Sequence, residues 1–210
     1  DVYKRQELAE CLSIQFKKLF PDNRHVKGKN KINFYQSKQF ILNYLENELY
    51  SLNRNGFYQV LYAEKEFSTT KKLHLNDEIL ECCFKGKIDR IDSTSNGLRL
   101  IDYKTGYVTQ SDLTISTMES IKTKNKVLQL LFYAMLFLGN HKEHDEVYSN
   151  IVALSNTNSP VLELNYQNDL KFNHTHIQVF EKEIQLIMEE IINPDVPLFH
   201  NEASKFCSFC

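Results

Sequence analysis

Gly86-Lys-Ile-Asp-Arg-Ile-Asp-Ser-Thr-Ser-Asn-Gly-Leu-Arg-Leu-Ile-Asp-Tyr-Lys-Thr-Gly106 decides the fold: two runs alternate in β fashion around a Ser95-Asn96-Gly97 turn. A two-residue loop at Asn96-Gly97, of the kind tight hairpins favour, sets Asp89 opposite Lys104 and Ile91 opposite Asp102. Facing residues share a face and side chains alternate along a strand. Asp89, Ile91, Leu98, Leu100, Asp102 and Lys104 therefore fall together, and Arg90, Asp92, Arg99, Ile101 and Tyr103 take the other side. The first face is apolar near the turn and charged at its far end.

Two carboxylates converging beside an apolar row repel each other and lose hydration, so they need a cation or an upward pKa shift. A divalent metal supplies that compensation. Mg²⁺ is commonly held by one or two carboxylates plus waters and phosphate oxygens, which Asp89 and Asp102 can provide. Lys104 lies roughly 6 to 7 Å further along the same face from the strand rise, leaving room for a water. The same residues also permit a plain Asp89 to Lys104 ion pair, worth well under about 1 kcal/mol where exposed. A three-residue loop would turn Asp89 to the opposite face unless a bulge restored it.

The chain has 210 residues with 42% hydrophobic content, which suits one well-buried domain. A formal net charge of -2 and a pI near 6.4 give no global basic signature, so DNA affinity would come from a local patch or a partner domain. No apolar run approaches the length of a membrane span and no signal peptide is evident, so a soluble, cytoplasmic chain with no membrane partner is expected. The five cysteines follow no secreted disulfide framework and read as thiols or metal ligands. The chain starts at Asp1 and stops on Cys210, which reads as a single domain, 1–210, truncated at both ends.

Residues 1–56 form a helical lead-in. A helix over about 6–20 carries Cys11 as a small buried thiol, a basic loop spans 25–31, and a long helix over about 32–52 stops at Gly56. Residues 57–165 form the sheet core. It opens with a strand over 57–67 that bears Glu64 and Glu66 on one face and leads into a meander over 71–84. A short helix over 109–120, capped by Thr109 or Ser111, precedes Lys122, Lys124 and Lys126, a basic patch or a solvated loop. The helix over 126–139 is apolar almost all round, with Gln129 and Tyr133 as polar exceptions one turn apart. Strands over 146–155 and 161–164 and a helix over 169–193, ended by Pro194, complete the core. Residues 200–210 end in Cys207-Ser-Phe-Cys210, the spacing of zinc and iron–sulfur ligands.

Gly86-x-x-Asp89-Arg90, then Asp102-Tyr103-Lys104-Thr105-Gly106, then Gln129-x-x-x-Tyr133 resembles, as an ordered set, the PD-(D/E)XK nuclease superfamily over about residues 27–210. The nearest branch is the RecB/AddB-type exonuclease domain of bacterial helicase-nucleases. The resemblance implies an α/β, restriction-endonuclease-like fold with a central mixed β-sheet flanked by α-helices. It also implies Mg²⁺- or Mn²⁺-dependent hydrolysis of DNA, with a helicase subunit or domain as partner. On that pattern Asp89, Asp102 and the Tyr103 backbone carbonyl hold the metal, and Lys104 orients the attacking water. Gln129 and Tyr133 fix the site or the strand, and Glu64 supports the metal. Members of the family carry a His or Glu on an early helix that has no counterpart in this sequence.

AddB-type relatives hold a 4Fe–4S cluster on four cysteines, of which Cys207 and Cys210 would be two. The cluster would then be complete only in the full-length protein, with zinc completed by His200 as the alternative. Against the enzyme stands a catalytically silent copy of the same fold acting as a scaffold or DNA-holding domain. No Gly-x-Ser-x-Gly elbow and no Walker loop occurs, so neither a serine nucleophile nor an ATP motor is expected here.

Overall fold

In the computed structural model, which describes residues 2–20, 27–56, 58, 59–75, 78–158 and 160–197, the Gly86 to Gly106 stretch forms the centre of a six-stranded mixed sheet. Helix α1 (Val2–Leu19) packs on α2 (Gly28–Asn55), which Gly56 ends with φ 81°. Strands β1 (Gln59–Leu75) and β2 (Glu78–Thr94) make one long antiparallel hairpin, and β2 turns back into β3 (Gly97–Lys104). The chain then passes through two 3-10 turns, Gln110–Leu113 and Met118–Lys122, with the short β4 (Thr114–Ile115) between them. Helix α3 (Asn125–Asn140) carries it over to β5 (Glu146–Ala153), which runs parallel to β3.

Strands β6 (Val161–Glu163) and β8 (Lys171–Asn173) both pair antiparallel with β5, and β7 (Asn165–Tyr166) pairs with β4 in a separate ribbon. Helix α4 (His174–Ile192) follows, its first turn capped by Asn173, whose side chain accepts from the Thr175 and His176 amides. None of the helices among the described residues is long and apolar enough to cross a membrane.

Burial explains the layers. The parallel pair β3 and β5 is covered on both faces, so Leu98, Leu100 and Ile101 and then Val147, Ile151, Val152 and Ala153 are all buried. Helix α3, buried nearly all round, lies with α4 on one face, and α2 lies on the other, where Tyr44 meets Ile101 and Val152.

One irregularity aims the central hairpin. Ile88 and Ile91 are both fully buried in the α3-side core although three residues apart, and Tyr62 stacks edge-on against Phe67, five residues apart. Strict alternation forbids both odd spacings. The switch falls where Glu64, with the left-handed φ of 53°, stands between the pairs Ala63 to Arg90 and Lys65 to Ile88, opposite Asp89. Continued alternation from Ile88 would send Asp89 away from α3. The irregularity, which leaves the register of the two strands unchanged, instead gives Asp89 the α3 side and hands Arg90 to α2.

Several sequence expectations change. The turn is Ser95-Asn96, not Asn96-Gly97: Thr94 pairs with Gly97, and Ile91 with Leu100. The register therefore slides by an even number, so faces are kept while Asp89 comes opposite Asp102 rather than Lys104. Gly97 has φ 131°, a conformation that favours glycine, and the Thr94 hydroxyl donates to its carbonyl at 2.8 Å. Strand β1 runs through to Leu75 without the expected break, and the 109–120 helix is two 3-10 turns. The last helix begins at His174 because 171–173 pair as β8. Cys11 is exposed, not buried, on a helix whose main neighbour among the described elements is α2.

Gly86 lets α3 lie close to β2. A methyl there would meet Leu136 Cδ1 at 2.7 Å and the Tyr133 ring at 3.7 Å, and Leu136 is fully buried. Gly86→Ala should therefore cost about 1–3 kcal/mol of stability by overpacking. Urea denaturation measures it, and an unchanged midpoint would show that α3 has room to spare.

Candidate active site

The DYKTG segment at the end of β3 and the polar exceptions on α3 meet in a closed ring. Lys104 Nζ lies 2.8 Å from Asp102 Oδ2 and donates to Gln129 Oε1 at 2.8 Å. Gln129 Nε2 donates to the Tyr133 hydroxyl at 2.9 Å, and that hydroxyl donates to Asp102 Oδ1 at 3.5 Å. Gln129 and Tyr133 can both take part because they are one helical turn apart on the face that α3 turns to the sheet. Asp89 joins from β2: its Oδ2 accepts the Tyr103 backbone N–H at 2.8 Å, fixing its carboxylate beside Asp102. Asp89, Asp102, Lys104, Gln129 and Tyr133 are thus brought together from three elements.

The electrostatics follow from burial. Asp102 is only 2% exposed, and desolvation raises its carboxyl pKa above the ordinary value of 3.8 against the pull of Lys104, with the Asp89 charge adding to the rise. Burial also pushes the Tyr133 hydroxyl up to about 12, so it stays a donor toward Asp102. Lys104 sits beside Asp102 Oδ2 at ion-pair distance, 2.8 Å. A buried acid whose only cationic partner is one lysine, a second acid beside it and an adjacent backbone carbonyl suit a hard divalent cation that keeps several waters. Among the described residues no three His, Cys, Asp or Glu side chains cluster as a metal site, so such an ion would rest on Asp89, Asp102 and the Tyr103 carbonyl.

Glu64 does not join them. Its carboxylate pairs with Lys87 and is 63% exposed, because the left-handed turn at Glu64 that aims Asp89 inward leaves its own side chain at the surface. Lys122, Lys124 and Lys126 do not form an open basic patch. Lys122 pairs with Glu190, Lys124 donates to the Ser111 and Thr114 carbonyls at 2.6 Å each, and Lys126 lies 3.8 Å from Asp112. Cys207, Cys210 and His200 lie outside the described residues.

A cluster on the opposite face was legible only in part. Arg90 donates to Asp92 through Nε and Nη2, at 2.7 Å each, and Arg99 Nη2 donates to the same fully buried carboxylate at 2.7 Å. Tyr44, Glu48, Tyr58 and the Tyr103 hydroxyl complete it. The Arg90, Asp92 and Arg99 alternation signalled charge on this face. Nothing in the spacing of α2 singled out Glu48 as the acid that would be buried against it.

A family model described as the PD-(D/E)XK nuclease superfamily matches residues 4–210. No curated protein matches the chain. Among solved structures the chain is similar to one titled "Crystal structure of SSO0001", at 18% identity and a TM-score of 0.29, over 83% of this chain and 81% of that one.

Burial of Asp102 sets a pH dependence in the metal-free protein. Between the ordinary value of 3.8 and the raised native pKa, the native state holds a proton that the unfolded chain has released, so this group's contribution to stability falls as pH rises through that window. Asp102→Asn cannot ionise. Its stability relative to the parent should therefore increase with pH across the window and level off above it. Urea titrations in chelator at several pH values measure the difference, and one that shrinks as pH rises contradicts the assignment.

Proposed function

The chain belongs to the PD-(D/E)XK nuclease superfamily, and on that premise we propose that it is a Mg²⁺- or Mn²⁺-dependent deoxyribonuclease, an exonuclease of the RecB/AddB type acting beside a helicase subunit or domain. The observation that carries the reading is the ring Asp102, Lys104, Gln129 and Tyr133, with Asp89 fastened to the Tyr103 amide next to it. A structural ion pair at a sheet end needs neither a second acid nor a glutamine and tyrosine that fix both partners of the pair.

Each group then has a role. Asp89, Asp102 and the Tyr103 carbonyl would hold the divalent ion, which when bound would compensate their charge and acidify a water enough for attack at neutral pH. Lys104 Nζ, held by Gln129 Oε1, orients the attacking water and offsets the charge that builds on the phosphate during in-line displacement. Gln129 uses its other end to hold Tyr133, so one side chain sets the distance between the lysine and the acid. The hydroxyl of Tyr133 satisfies Asp102 Oδ1 and leaves Oδ2 turned toward the lysine.

Two features support delivery of DNA by a partner rather than capture by this domain alone. The net charge is -2, and the lysines at 122, 124 and 126 are engaged by carboxylates and carbonyls of the same chain. Cys207 and Cys210 would contribute two of the ligands of a 4Fe–4S cluster, a reading supported by their spacing.

With Mg²⁺ or Mn²⁺, the protein should degrade linear DNA and spare covalently closed circles. Asp102→Ala and Lys104→Ala should each lose about 10²-fold or more in rate, the scale of removing one group that stabilises transition-state charge. Cleavage that survives both changes contradicts the assigned roles. A parent protein that neither cleaves nor takes up metal in calorimetry would instead be a silent scaffold of the same fold.

A further inference from the structure

Arg90 presents all five of its N–H groups to partners on the face of the sheet opposite the acids. Nε and Nη2 form a fork on Asp92 at 2.7 Å each, Nη1 reaches the Tyr44 and Tyr103 hydroxyls at 2.9 and 3.0 Å, and Nη2 also reaches Glu48 at 3.4 Å. The guanidinium carbon stands 4.7 Å from the centre of the Tyr58 ring, and Tyr58 donates to Glu48. Charges balance within the cluster, with Arg90 and Arg99 against Asp92 and Glu48.

The two β-strand residues gripped in this way are the ones whose backbone decides the site. Arg90 follows Asp89 directly in β2. Tyr103 lies between Asp102 and Lys104 in β3, and its amide is the donor that holds the Asp89 carboxylate. Alternation makes the side chains of 90 and 103 face α2 while those of 89, 102 and 104 face α3. A restraint on Arg90 and Tyr103 from behind is therefore a restraint on the acids in front.

We infer that Arg90, acting through the Tyr103 hydroxyl and the buried Asp92 and Glu48 carboxylates, is a positioning residue that sets the Asp89 carboxylate and the Tyr103 carbonyl for a divalent cation. The inference rests on the nuclease reading of the opposite face. Arg90 never touches the reacting atoms. It acts as an outer support, of the kind whose loss weakens metal sites without removing a ligand. A lysine cannot replace it, having three donors on a single nitrogen and no planar fork. Arg99 is the natural control, since it reaches the cluster through Asp92 and the Tyr58 ring.

Calorimetric titration with Mn²⁺ alone, on proteins shown to be folded by a cooperative melt, separates the cases. Arg90→Lys should weaken Mn²⁺ binding about ten-fold or more and lower kcat on linear DNA at unchanged KM. Tyr103→Phe, which deletes only the hydroxyl, should move both in the same direction by a smaller factor, and Arg99→Lys should leave both near the parent values. If Arg90→Lys does not fold, Tyr103→Phe decides alone. Mn²⁺ affinity equal to the parent's in the folded Arg90→Lys or, failing that, in Tyr103→Phe overturns the inference. Failure of the parent protein itself to bind Mn²⁺ overturns the nuclease reading beneath it.

Discussion

Bringing two carboxylates to one buried patch is the constraint around which this fold is arranged. Asp102 is almost wholly removed from water and Asp89 stands beside it, so both desolvation and mutual repulsion oppose ionisation. The chain offsets this with one lysine, one tyrosine hydroxyl and one backbone amide. Most of the surrounding structure keeps that arrangement in place: an apolar helix carrying two polar groups one turn apart, and a glycine in β2 that lets the helix come close.

Polar chemistry lies on both sides of the same hairpin. One face of β2 and β3 presents the acids and the lysine to α3, and the other presents two arginines and an aspartate to α2. An ion network so deeply buried is weak evidence for stability, because desolvating its members offsets much of their attraction. Its value lies in geometry: a bidentate arginine fixes orientation more tightly than packed aliphatic side chains do. Helix α2 thereby becomes a brace for the strands that carry the acids, joined to them by Tyr44 and Glu48 rather than by a large apolar contact.

Much of this was legible in the residues, for identifiable reasons. Alternation along 89–104 assigned Asp89, Asp102 and Lys104 to one face, and that assignment survived an error in the turn because the register moved by two residues and kept parity. The helix over 126–139 and its Gln129 and Tyr133 stood out since polar residues are conspicuous in an otherwise apolar run. The left-handed Glu64 was not legible. A glutamate carries no signal for that conformation, so its side chain looked like a site residue when its backbone is what aims Asp89. Lysines 122, 124 and 126 read equally as patch or loop, because their partners come from turns and from a helix distant in sequence. Strand β8 was absorbed into the following helix, since three residues ahead of an asparagine cap give too short a pattern to separate.

The proposed mechanism requires Asp89 and Asp102 to share one cation on the α3 side of the sheet. Anomalous diffraction from crystals soaked in Mn²⁺ tests it most directly. A single peak between the two carboxylates, touching an oxygen of each and the Tyr103 carbonyl, is the expected result. A peak at the surface acids Glu64 and Glu66, or density showing Asp89 turned to the α2 side, would contradict it.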